Sequence, residues 1–120
     1  MQEYTVKVSD DRIVWLQNGI FHRNDGPAIE YANGNKFWYQ NGKLHRMDAP
    51  AIEYADGEKF WFQNGKQHRI DGPAVEYKSG NVEYVEYWEN GKPIPSPNET
   101  KEMTVTEIIK ELGYNVKVVK

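Results

Sequence analysis

Between Ala28 and Lys78 the chain alternates short runs of β-forming side chains with clusters of turn residues. The runs read AIEYA (28–32), KFWYQ (36–40), AIEYA (51–55), KFWFQ (59–63) and AVEYK (74–78). Side chains in a strand point to alternate faces, so Ile29 and Tyr31 share one face while Glu30 takes the other. In KFWYQ, Phe37 and Tyr39 oppose Lys36, Trp38 and Gln40, which puts aromatic rings on both faces. Asn18-Gly19, Asn41-Gly42, Asn64-Gly65 and Asn90-Gly91 carry the hairpin signal of a type I′ turn, in which both central residues need positive φ. A second turn falls at Asn33-Gly34, Asp56-Gly57 and Ser79-Gly80. The pattern predicts an antiparallel meander of short strands.

The runs belong to a repeat. Trp15, Trp38 and Trp61 stand 23 residues apart, and each opens the same phrase; Trp88 follows 27 residues after Trp61 and opens a truncated unit, WENGKPIP. The opening stretch VKVSDDRIVW aligns with IEYANGNKFW as a degenerate half-unit. Four extra residues precede Trp88, and an even insertion in a strand keeps each side chain on its face. The expected fold is thus mainly β: a single elongated antiparallel sheet of 23-residue hairpin repeats over residues 1–92, with atypical units at its ends.

Beyond residue 92 the pattern changes. Residues 93–102 are rich in proline and read as a linker. Residues 103–120 read as a helix and a short strand. Thr104 and Glu107 have capping-box spacing, Gly113 suits a helix C-terminus, and Val105, Ile108, Ile109 and Leu112 form an apolar stripe. This tail is expected to cap the sheet, with a docking module as the alternative.

Composition narrows the class. Only 38% of residues are hydrophobic, but four Trp, eight Tyr and four Phe supply bulky core material, which favours a thin sheet over a thick sandwich. A net charge of −3 argues against general nucleic-acid binding, which rests on phosphate neutralisation, and against an anionic membrane surface. With no cysteine, disulfides, thiolate metal sites and thiol catalysis are excluded. No apolar run reaches the length of a membrane span, and the first residues lack the features of a signal peptide. A soluble, cytoplasmic protein is expected.

The phrase HRNDGPA (22–28), HRMDAPA (45–51) and HRIDGPA (68–74), set in a 23-residue hairpin unit, resembles the MORN-like repeats of bacteriophage and large-virus proteins. The resemblance covers roughly residues 6–92. Ordinary MORN units carry glycine where Arg23, Arg46 and Arg69 stand here, and Ala49 replaces the glycine of the other two copies. The resemblance implies an elongated β-meander that presents a binding surface, and it implies no catalytic residues.

The polar trios His22, Arg23, Asp25; His45, Arg46, Asp48; and His68, Arg69, Asp71 are the candidate chemistry. A catalytic centre is one asymmetric constellation of differing roles, whereas three copies of one arrangement are what a structural turn gives. The trios are therefore expected to tie unit to unit, with Asp accepting turn N–H groups or pairing with Arg, and with Arg and His bonding unpaired carbonyls. His-x-x-Asp offers two metal ligands at most beside an arginine, so no metal and no cofactor is expected. Ser9, Ser79 and Ser96 lack a nucleophile-elbow context, Glu30, Glu53 and Glu76 read as a ladder opposite Lys rather than a glycosidase pair, and no phosphate loop is present.

The aromatic rows, Trp15, Trp38, Trp61 and Trp88 and Tyr31, Tyr54 and Tyr77, are either core or an exposed partner-binding face. The expectation is a non-enzymatic phage accessory protein that binds, and by binding inhibits, a host macromolecule through these rows and the tail. A protein partner or a homo-oligomer is expected, with no nucleic acid and no membrane. The alternatives are an oligomeric sponge for a small molecule or nucleotide, and an enzyme using the His/Arg/Asp turns.

Overall fold

The computed structural model describes residues 3–97. Strands β1 (Thr5–Val8) and β2 (Arg12–Gln17) form the opening hairpin, and Asn18-Gly19 leads from β2 into β3 (Ile20–Phe21). Next come β4 (Ile29–Tyr31), β5 (Lys36–Phe37), β6 (Tyr39–Gln40) and β7 (Lys43–Leu44). The following unit repeats them as β8 (Ile52–Glu53), β9 (Lys59–Phe60), β10 (Phe62–Gln63) and β11 (Lys66–Gln67). The described chain closes with β12 (Val75–Ser79), β13 (Val82–Glu89) and β14 (Lys92–Ile94).

All pairings are antiparallel, and the main ten-stranded sheet runs β1-β2-β4-β5-β8-β9-β12-β13-β14, with β3 on β2. The expected single sheet is corrected here, because β6-β7 and β10-β11 are separate two-stranded ribbons. The reason lies at the tryptophans. Trp38 donates its N–H to Ala51 O in the main sheet (2.7 Å), while its carbonyl accepts His45 N in its own ribbon (3.0 Å); Trp61 does the same with Ala74 and His68 (2.7 and 3.1 Å). One residue thus passes the chain from one set of partners to another, and the ladder breaks there. The ribbons are tied to one another by bonds such as Gly65 N to Leu44 O (2.8 Å) and Arg46 N to Phe62 O (3.1 Å). A second correction concerns the helix: among the described residues the structure is antiparallel β with no helix, and the helix and strand expected over 103–120 lie outside them.

The Asn-Gly turns at 18–19, 41–42, 64–65 and 90–91 have positive φ at both residues, for instance 51° at Asn41 and 78° at Gly42, as the I′ geometry demands. The second turns differ, since only the glycine turns left-handed, with φ of 100° at Gly34 and 99° at Gly57. In the third unit each arm of this hairpin is three residues longer and the turn three shorter, closing at Ser79↔Val82 around Gly80-Asn81. The Asn-Gly spacing therefore rises from 23 to 26 residues, an odd change. Trp88 consequently slips by one position. Its carbonyl accepts Arg69 N, the role that Tyr39 and Phe62 play for Arg23 and Arg46, and Tyr87 stands where the other units have Trp.

The register lines up Val14, Ile29, Phe37, Ile52, Phe60 and Val75 in one row across the main sheet. Val14, Ile29, Ile52 and Val75 are buried, as are Ala28, Ala51 and Ala74, which precede the row at each unit. Each buried branched side chain contributes about 1.5–3 kcal/mol, and the row is the core. A radius of gyration of 20.1 Å, against roughly 14 Å for a compact chain of this size, reflects a molecule 68 × 37 × 16 Å in extent.

Candidate functional site: the His-Arg-Asp turns and the tryptophan row

Each trio follows the short strand after an Asn-Gly turn, β3, β7 or β11. The imidazoles do one thing three times: His22 Nδ1 accepts the backbone N–H of Asn41 (2.9 Å), His45 Nδ1 that of Asn64 (3.0 Å) and His68 Nδ1 that of Asn90 (2.9 Å). The histidine of one unit therefore holds the Asn-Gly turn of the next. It acts as an acceptor, not as the carbonyl-binding donor expected from the sequence, so Nδ1 is unprotonated. His22 is the buried copy, and the Tyr4 ring stacks on it at 6.4 Å.

The arginines fold back across the tryptophans. Arg23 Cζ lies 3.9 Å from the Trp15 ring centroid, Arg46 3.8 Å from Trp38 and Arg69 3.7 Å from Trp61. Each guanidinium also donates to the proline carbonyl four residues on, at 3.1–3.2 Å. On the sheet it meets a glutamate: Arg23–Glu30 at 3.6 Å, Arg46–Glu53 at 3.0 Å and Arg69–Glu76 at 2.6 Å. A cation over an indole contributes roughly 0.5–2 kcal/mol, more when water is excluded. The glutamates do stand opposite Lys36 and Lys59 in the register, but the arginines take their carboxylates. Trp15, Trp38 and Trp61 thus form a row that its own arginines cover, and Trp88 is outside it, its indole donating to Glu86 (2.8 Å).

The tyrosine row is on the opposite face. Tyr31, Phe37, Tyr54 and Phe60 make a continuous edge-to-face ladder with centroids 5.7–5.8 Å apart, and Tyr77 stacks on Tyr84 at 4.8 Å. Burial first, then the neighbouring phenols of Tyr31 and Tyr54, push the Tyr39 hydroxyl above the ordinary tyrosine range.

The third trio member breaks the symmetry. Asp25 and Asp71 pair with the Nε of Arg23 and Arg69 at 3.0 and 3.2 Å, while Asp48 has a φ of 59° and makes no ion pair with Arg46. Glycine explains the difference. A Cβ on Gly26 or Gly72 would lie 2.8 or 2.7 Å from the arginine Cζ, so a side chain there needs the guanidinium to shift or the turn to change path. Ala49 carries that side chain, and its turn takes another path with Asp48 in the left-handed region, which Asp tolerates better than most residues.

Between successive turns lie two equivalent grooves, of about 660 Å³ and about 500 Å³. The first is lined by Arg23, Asp25, Trp38, Arg46 and Met47, and the second by Met47, Asp48, Trp61, Arg69 and Ile70. Met47 is 59% exposed and Ile70 79%. Sequence reasoning passed over both, although an apolar residue at the variable position of a polar turn was the signal. Among the described residues no cluster of His, Asp or Glu could hold a metal, and no helix is long and apolar enough to cross a membrane. No protein-family model, curated protein or solved structure gives a significant match to this chain.

Proposed function

We propose that this protein is a non-enzymatic binding protein that takes a protein partner along the row of grooves between its His-Arg-Asp turns. The supporting observation is the pair of equivalent grooves, each rimmed by an exposed apolar side chain, Met47 or Ile70, beside an arginine stacked on tryptophan. Apolar anchors next to Arg and Trp are the chemistry that dominates protein interfaces. The trios themselves are committed to holding turns and sheet, which leaves their histidines and aspartates without the differing roles a catalytic centre needs. The likeness of the HRxDGPA phrase to phage MORN-like repeats extends the proposal to a phage accessory protein that binds and inhibits a host macromolecule in the host cytoplasm.

The test is capture of a partner from host lysate by the intact chain and by a variant carrying Met47→Glu and Ile70→Glu. Both residues are exposed, so the variant is expected to keep the β-sheet circular dichroism of the parent. Loss of the partner by the variant alone is the expected result. Equal recovery by both places binding elsewhere, and recovery of nothing by the intact chain contradicts the proposal.

A further inference from the structure

The middle unit lacks a carboxylate that its neighbours have. Arg23 and Arg69 each satisfy Nε with an aspartate of their own turn, at 3.0 and 3.2 Å. Arg46 has the same stacking on Trp38 and the same bonds to Pro50 O and Glu53, but among the described residues its Nε has no hydrogen-bond partner. Its side chain is 30% exposed, against 18% and 20% for the other two. The Ala49 turn takes another path: Asp71 lines the groove beside Arg69, whereas Asp48 is absent from the lining beside Arg46.

We infer that the Nε edge of Arg46 is a binding site for an aspartate or glutamate side chain of a partner protein, which would occupy the place that Asp25 and Asp71 fill in the flanking units. This rests on the binding function proposed above and assigns its central contact. The guanidinium is permanently charged and its plane is fixed by Trp38 on one side and by Glu53 and Pro50 at the far edge, so the open edge is oriented before any ligand arrives. The groove it lines contains Asp25, whose charge is already engaged by Arg23, and the exposed Met47 thioether stands at the rim for an apolar neighbour of the acidic residue. The flanking units show what chemistry fits: a single carboxylate oxygen on Nε. A partner segment of an acidic residue beside a leucine or similar side chain meets both features.

The experiment follows the Nε–Hε signals of Arg23, Arg46 and Arg69 by NMR while the protein is titrated with the capped tripeptide acetyl-Leu-Asp-Leu-amide, its Asn counterpart, and inorganic phosphate. The Arg46 signal is expected to exchange fastest in the free protein and to shift with the Asp peptide at millimolar concentration. The Asn peptide should bind at least about threefold more weakly, the scale of one exposed ion pair. Ala49→Gly should let Asp48 close onto Arg46, slow its Hε exchange and abolish the shift, and adding Asp48→Ala to that variant should restore it. A protected Arg46 Hε in the free protein, or no shift with the Asp peptide, overturns the inference. So does equal response to the Asn peptide, or a larger response to phosphate. If a lysate partner is captured yet ignores Ala49→Gly, the carboxylate site fails while the binding function stands; if no partner is captured but Arg46 responds to the peptide, the reverse holds.

Discussion

At the scale of single residues, the two kinds of glycine in this chain do different work, and substitutions separate them. Gly42 has a φ of 78° and room for a Cβ, with Ile20 Cβ at 3.9 Å, so Gly42→Ala costs only backbone strain, about 1–2 kcal/mol in denaturant unfolding. Gly26 has no such φ but no room either, so Gly26→Ala is expected to divert its turn as Ala49 does, freeing Arg23 from Asp25 and raising Arg23 Hε exchange by NMR, with a cost within about 1 kcal/mol for the lost exposed pair. The first glycine was legible from the Asn-Gly dipeptide. The second was not, because a close approach by the far end of an arginine side chain leaves no mark on backbone propensity; only the Ala49 exception hinted that φ was not the constraint. Among the titratable groups, the Tyr84 hydroxyl donates to Glu86 and, together with Trp88 Nε1, holds that carboxyl below its ordinary 4.5, while the same bond first, then burial, raises Tyr84 above 10.0. Glu86 therefore contributes stability above about pH 4.5 that is lost as pH falls through its folded value, and Tyr84 contributes below pH 10 and loses it as pH rises through its own. Tyr84→Phe should flatten the stability profile at the alkaline end and weaken the acid slope. Urea midpoints across pH check this, and an unchanged profile counts against the bond.

At the scale of elements, the hairpins were legible because Asn-Gly and the β-forming runs constrain only neighbours in sequence. The division into a main sheet and two ribbons was not, since it depends on Trp38 and Trp61 donating to one set of partners and accepting from another. The slip of Trp88 was hidden for a related reason: counting from tryptophan gave an even insertion, whereas the turns, which set register, are offset by an odd one. The histidines are elements' couplings, and their burial ranks them. His22→Ala should destabilise by about 1–3 kcal/mol, because it removes a buried side chain and leaves the part-buried Asn41 N–H without its acceptor. His45→Ala and His68→Ala, whose bonds are reached by water, should cost less. His→Asn at each site, which can retain an acceptor near the Nδ1 position, should recover part of the loss. Thermal unfolding of the six variants gives the order; equal losses at all three contradict the ranking by burial.

At the scale of the whole molecule, the array is quasi-one-dimensional, each unit touching its neighbours through one histidine, one arginine backbone N–H and the shared sheet. Removing residues 38–60, one 23-residue period, joins Phe37 to Trp61 in the same phrase, so that variant is expected to fold with a shorter long axis and the same thickness by small-angle scattering, whereas loss of one residue fewer puts the phrase out of register and should not fold. The mainly antiparallel β character could be read from the repeat because every unit restates it. Which rows are covered could not, since that depends on arginines returning from a turn eight residues after each tryptophan. The central claim is that the repeated His-Arg-Asp phrase is architecture, each imidazole holding the next unit's turn as a hydrogen-bond acceptor. The most direct test is NMR of the three imidazoles and of the Asn41, Asn64 and Asn90 amides, at a pH where the imidazoles are neutral. The account predicts the Nε2–H tautomer at all three, with a scalar coupling across the hydrogen bond from each amide to its Nδ1. An Nδ1–H tautomer at these histidines, or amides that show no coupling to them, would contradict it.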